Sequence, residues 1–231
     1  MMGRMGSGYG SECHLLRWMG RHRNLFDLRV SEALNRRGQP IEWLDFPFAP
    51  KNPWPDAEWK GLDFLKSPNL KAAWQEFWPQ TGNAQNWDAV GWIGAGPDRE
   101  LVLVEAKAHL GEISSNCGAK EPSRSIIKTA FERTQKALSI TTSSDWVAKY
   151  YQYANRIACV HFLHANGVAA HMLFVYFVGD ESGSTRKCPQ TKNEWEQSLS
   201  EQDAYLGLVG GHLLSAYIHK LFLHVSSEEA P

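Results

Sequence analysis

Three side chains in this sequence have the types and spacing for chemistry at a phosphate: Asp88, then Glu105 and Lys107, with Ala106 between the last two. A charged side chain in an apolar strand is expensive to desolvate unless it is paired or binds an ion. An aspartate and a glutamate converging alone would repel, and one would be driven toward its protonated form. A divalent cation removes that conflict. Mg²⁺ selects oxygen ligands, keeps several waters and bridges one or two carboxylates to a substrate phosphate, and Mn²⁺ suits the same ligand types. Lys107 could then point at the same phosphate or activate the attacking water. The plain alternative is an ion pair between Glu105 and Lys107, worth little by itself, which leaves Asp88 without a role.

Positioning these groups requires a hairpin. Read with a period of two, Leu101-Val-Leu-Val-Glu-Ala-Lys-Ala-His-Leu places Val102, Val104, Ala106 and Ala108 on one face. Leu101, Leu103, Glu105, Lys107 and His109 fall on the other. The preceding segment, Asn86-Trp-Asp-Ala-Val-Gly-Trp-Ile, puts Asp88, Val90 and Trp92 on one face, and Gly94-Ala-Gly-Pro-Asp supplies a short turn. Antiparallel pairing across that turn brings Asp88 beside Glu105 and Lys107. His109 continues the charged face, either as a phosphate donor or proton carrier at the edge of a site or as a structural histidine at a strand end.

An aspartate on one strand followed by Glu105-Ala106-Lys107 at the end of the next resembles the PD-(D/E)xK phosphodiesterase superfamily, with its restriction-endonuclease-like fold. Trp87 stands where the family name has proline. The resemblance implies an α/β fold, a central mixed β-sheet flanked by helices with an αβββαβ core, and a metal-dependent nuclease hydrolysing phosphodiester bonds in DNA. It implies that Asp88, Glu105 and the Ala106 carbonyl hold Mg²⁺, or Mn²⁺, and that Lys107 assists water activation. Many members add an acidic residue from the first helix, a place Glu32 would fill. Some exonuclease-like members carry a glutamine on the helix after the E-x-K strand, and Gln152 is similar, although Arg156 stands four residues later where those members have tyrosine. A catalytically inactive nucleic-acid-binding or assembly protein of the same fold is the alternative. The intact Asp/Glu/Lys set argues against it. Cutting both strands of a duplex calls for two sites, so a homodimer is among the expectations.

With 231 residues, 43% of them hydrophobic and 21% charged, the chain has the composition of a globular domain with a substantial core. The net charge of −1 gives no global basic footprint, so any contact with nucleic acid must be local. Cys13, Cys117, Cys159 and Cys188 are scattered without zinc-ligand spacing. No apolar run spans a bilayer and no export signal is evident, so a cytoplasmic protein without a membrane partner is expected. Tryptophans at 43, 54, 59, 74, 78, 87 and 92 point to an aromatic-rich core rather than a base-stacking surface.

The glycine-rich start suggests a flexible segment over 1–19, followed by one domain over 20–231 that ends in a helical and edge-strand extension. A helix is expected over about 25–37, where Leu25, Leu28 and Glu32 share a face. Glu32 would then be either the extra acidic ligand or the partner of Arg29 or Arg36. A helix over 69–78 carries a competing candidate, Glu76. Further expectations are a strand over 41–48 before a proline-rich loop, a helix over 123–138, and a helix over 146–164 capped by Asp145. A buried strand over 168–178, helices over 191–199 and 201–208, and an edge strand over 217–225 complete the reading. The N-terminal arginines and Arg124, Lys128 and Lys136 could either track phosphates or solvate their own faces. Gln152 could serve the site or hydrogen-bond within a helix interface.

Overall fold

A computed structural model describes residues 10–44, 58–80, 85–180 and 186–226. Two helices, α1 (Ser11–Arg21) and α2 (Arg23–Ala33), lead into a short strand, β1 (Ile41–Trp43). After β2 (Trp59–Lys60) and α3 (Pro68–Phe77) come β3 (Asn86–Trp87), β4 (Ala89–Ile93) and β5 (Glu100–Lys107). Helices α4 (Ser123–Ala137) and α5 (Tyr151–Ala165) then cross to β6 (Ala170–Val178), and α6 (Lys192–Leu206) crosses to β7 (Ile218–His224). The result is an α/β fold around a mixed five-stranded sheet of order β1-β4-β5-β6-β7, with a two-stranded ribbon of β2 and β3. β1 with β4 and β4 with β5 pair antiparallel, whereas β5 with β6 and β6 with β7 pair parallel, as helical crossovers require.

The period-two pattern of β5 divides the interior. Val102, Val104, Ala106 and Ala108 join Leu15, Trp18, Phe26 and Val30 in a core beneath α1 and α2. Leu101 and Leu103 face a second core with Trp74, Trp78, Trp87, Phe131, Ile157 and Trp195. Glu105 therefore points to the side carrying α3 to α6. Trp74, Trp78 and Trp87 are buried in this second core, with Trp74 and Trp78 stacked at 5.9 Å.

Several expectations are corrected. Residues 11–19, expected to be flexible, belong to α1, because Leu15, Trp18 and Met19 form a buried stripe and the Trp18 indole donates to the His224 carbonyl at 3.1 Å. The helix expected over 25–37 runs Arg23–Ala33 and stops before Asn35, which takes a left-handed φ of 55°. Its buried residues include Phe26 and Val30, while Leu28 is 45% exposed, so the face that Glu32 was expected to share is not the buried one. Asp145 accepts the Val147 amide in a turn, and α5 begins only at Tyr151, after Tyr150 at a φ of 56°. The two helices expected over 191–208 are the single α6, which ends where Gly207 supplies the left-handed cap. The strand expected over 41–48 is described only through β1, and the proline-rich passage with Trp54 lies outside the described residues. Among the described residues no helix is long and apolar enough to cross a membrane.

Candidate active site

The chain changes sheets at Asp88. Trp87 pairs with Trp59 in the small ribbon and donates its indole N–H to the Gly61 carbonyl at 2.8 Å, whereas Ala89 already pairs with Val104 of β5. Asp88 is held in the break, its amide donating to the Val104 carbonyl at 3.0 Å. That register sets it opposite Glu105. Its Oδ2 accepts the Ala106 amide at 2.7 Å, so Ala106 enters the site through its N–H.

Glu105 is 3% exposed and both its oxygens are engaged. Oε1 accepts the Lys107 ammonium, and Oε2 accepts Nε and Nη2 of Arg156 at 3.0 and 2.7 Å. The same guanidinium donates to the Asn86 carbonyl at 2.6 Å and to Asn155 Oδ1 at 2.7 Å, and its central carbon stands 4.7 Å from the centre of the Trp87 ring. Burial works to raise the Glu105 carboxyl, but Arg156 and then Lys107 prevail and hold its pKa below the ordinary range. Asp88 is pushed up to about 7, by burial first and by the Glu105 charge second, with Lys107 and the Ala106 amide only partly opposing. The two carboxylates are thus electrostatically at odds.

Beside Glu105 and Lys107 lies a small cleft, also lined by Gln152, Tyr153, Tyr176 and Gln202, with a volume of about 10 Å³, room for about one water. Gln152 is placed there by the first turn of α5, where its amide donates to the Ser115 hydroxyl at 2.9 Å and ties the helix to the loop after β5. Gln202 comes from α6, is 1% exposed, and its Oε1 has no hydrogen-bond partner.

No family model, curated protein or solved structure matches this chain. The geometry alone must therefore carry the functional reading. Of the residues expected at the site, Asp88, Glu105, Ala106, Lys107 and Gln152 are brought together. Glu32 is not. It lies on α2, which packs on the opposite face of the sheet, and pairs with Arg37 at 2.5 Å and Arg29 at 3.7 Å. Its hydrogen bond to Arg37 holds its carboxyl below the usual range. Glu76 is exposed on α3. His109 caps a short 3₁₀ turn with Glu112, whose Oε2 accepts the His109 amide at 3.1 Å. Of the N-terminal arginines, Arg17 donates to the Val225 carbonyl and Arg36 pairs with Glu100.

Among the described residues no group of three or more His, Cys, Asp or Glu side chains is placed to hold a metal. Asp88 and Glu105 form a pair, which suits a hard cation that keeps most of its waters and takes one or two carboxylates, and does not suit an all-protein cage. Asp88 is raised by burial first and by the Glu105 charge second, and the second is the kind of conflict a cation would relieve.

Two residues at the site went unassigned at the sequence level. Arg156 stands among Ala154, Ile157, Ala158 and Val160, and a cation inside so apolar a helical run signals a buried partner. Gln202 occupies a stripe with Trp195, Leu199 and Leu206, where a polar side chain is equally out of place.

Proposed function

We propose that this protein is a metal-dependent nuclease hydrolysing phosphodiester bonds in DNA, of the restriction-endonuclease-like kind. The observation that supports it best is Asp88 facing Glu105 across paired strands, with Lys107 bonded to Glu105 and a small cleft beside Glu105 and Lys107. The order of helices, antiparallel hairpin, helices and parallel strand around one mixed sheet supports the same reading. Asp88 and Glu105 would hold Mg²⁺ or Mn²⁺. Bound there, the cation would lower the pKa of an attacking water and offset charge on the scissile phosphate. Lys107 brings a positive charge to the same place, suited to orienting the phosphate and stabilising the charge that develops in the transition state. Gln152 and Gln202 offer amide groups to whatever enters the cleft.

The test is cleavage of supercoiled, linear, single-stranded and branched DNA with Mg²⁺ or Mn²⁺, comparing the wild type with Glu105→Ala and Lys107→Ala. Loss of cleavage in both variants supports the assignment, and equal cleavage by all three proteins eliminates it. Cutting both strands also calls for two sites, so a homodimer belongs to this reading and sedimentation of the active form checks it.

One observation favours a second reading. Lys107 and Arg156 already occupy both oxygens of Glu105, as in a structural ion-pair network. A non-catalytic nucleic-acid-binding or assembly protein would show retention of DNA on gels without cleavage under either metal.

A further inference from the structure

Arg156 is the group at this site whose purpose the carboxylates and lysine do not explain. Its guanidinium is fixed from four directions: Glu105 Oε2, the Asn86 carbonyl, Asn155 Oδ1 and the face of Trp87. Asn86 lies two residues before Asp88, so this one side chain ties the strand end bearing Asp88 to the strand bearing Glu105. It takes only Oε2 of Glu105, through two N–H groups, and leaves Oε1 to Lys107. With both acids ionised, Asp88, Glu105, Lys107 and Arg156 sum to zero formal charge. Without the arginine the same cluster would carry −1.

We propose that Arg156 is a positioning residue that also sets the affinity of the site for a divalent cation. It orients Glu105 through Oε2 while its buried charge competes with the incoming ion, so that a cation reaching Oε1 in place of the Lys107 ammonium is bound weakly. Weak binding suits a centre in which the ion must be completed by a substrate phosphate. This inference rests on the reading of Asp88 and Glu105 as cation ligands.

The experiment measures Mn²⁺ binding to the full chain by isothermal titration calorimetry, beside DNA cleavage, for the wild type and Arg156→Gln. The expected result is binding about tenfold tighter in the variant, because one like charge is removed at close range, together with a fall in kcat as Glu105 loses its orientation. A residue of purely structural importance would weaken both. Arg156→Gln leaves a buried carboxylate with one partner fewer and can fail to fold. Asn155→Asp is therefore the second variant: it is isosteric, faces the guanidinium, and offsets its charge without removing it. Its Mn²⁺ affinity should rise by about fivefold on the same electrostatic ground. Measurable wild-type binding with unchanged or weaker binding in the folded variants overturns this inference and leaves the nuclease reading standing. Absence of Mn²⁺ binding in the wild type and in the folded variants overturns both.

Discussion

Strand β5 carries a charged cluster at each end, and the two clusters resolve their charges differently. At its start, on the face covered by α1 and α2, Glu100 pairs with Arg36 at 2.6 Å and with His171 at 3.0 Å, and His171 bonds His219 at 3.0 Å. Each group there has the partner it needs. Arg36 above all pulls the Glu100 carboxyl down to about 2, while burial, followed by the neighbouring imidazole of His171, pushes His219 down to about 4 and keeps it neutral. At the far end, on the other face, Glu105 is satisfied but Asp88 is not, and its carboxyl is pushed up to about 7. A fully satisfied cluster rigidifies a fold, whereas one that keeps a carboxylate in conflict beside a cleft marks a site that expects something else.

The largest test of that contrast is Glu105→Ala. Removing one partner of a buried pair leaves Arg156 uncompensated and should destabilise the fold by about 3–5 kcal/mol. Urea denaturation measures it, and a change below about 1 kcal/mol would mean that Arg156 finds other company.

Acid should act next, through the satisfied cluster. The unfolded His219 imidazole takes a proton near 6.5 and the folded one near 4, so the unfolded state binds more protons across that window and stability falls as pH falls through it. The loss attributable to His219 is at most about 3 kcal/mol. Glu100 adds to it as pH falls from 4.5 toward 2, again because its folded pKa is depressed. Thermal melts at pH 7 and 4.5 for the wild type and His219→Gln read this out; parallel slopes would refute it.

Asp88 should respond with the opposite sign. Its folded pKa, about 7, lies above the ordinary 3.8, so ionisation penalises the folded state above pH 7 and the penalty fades as pH falls toward 3.8. Asp88→Asn should therefore stabilise the protein at pH 8 by about 1–2 kcal/mol, a figure discounted for partial exposure. The gain should shrink below pH 7 while cleavage is lost. No gain at pH 8 would mean that the two carboxylates are not in conflict.

The smallest effects belong outside both clusters. Glu32→Ala and Glu76→Ala should leave both the urea midpoint and cleavage close to those of the wild type. A cleavage defect in Glu32→Ala would reopen its place at the site.

The hairpin, the two faces of β5, the placing of Asp88 opposite Glu105 and the buried strand β6 were all legible in the sequence. These follow from alternation within contiguous segments and from a short turn, which local chemistry specifies. Which way α2 turns is settled only by packing. Phe26 and Val30 rather than Leu28 face the core, and that rotation sends Glu32 to Arg37 on the far side of the sheet. Packing also decided that Arg156 reaches Glu105 fifty-one residues away and that Gln202 closes the cleft from α6. Helix rotation and crossover placement are settled by packing among distant segments, and a periodicity read along one segment holds no information about which partner its polar side chains will meet.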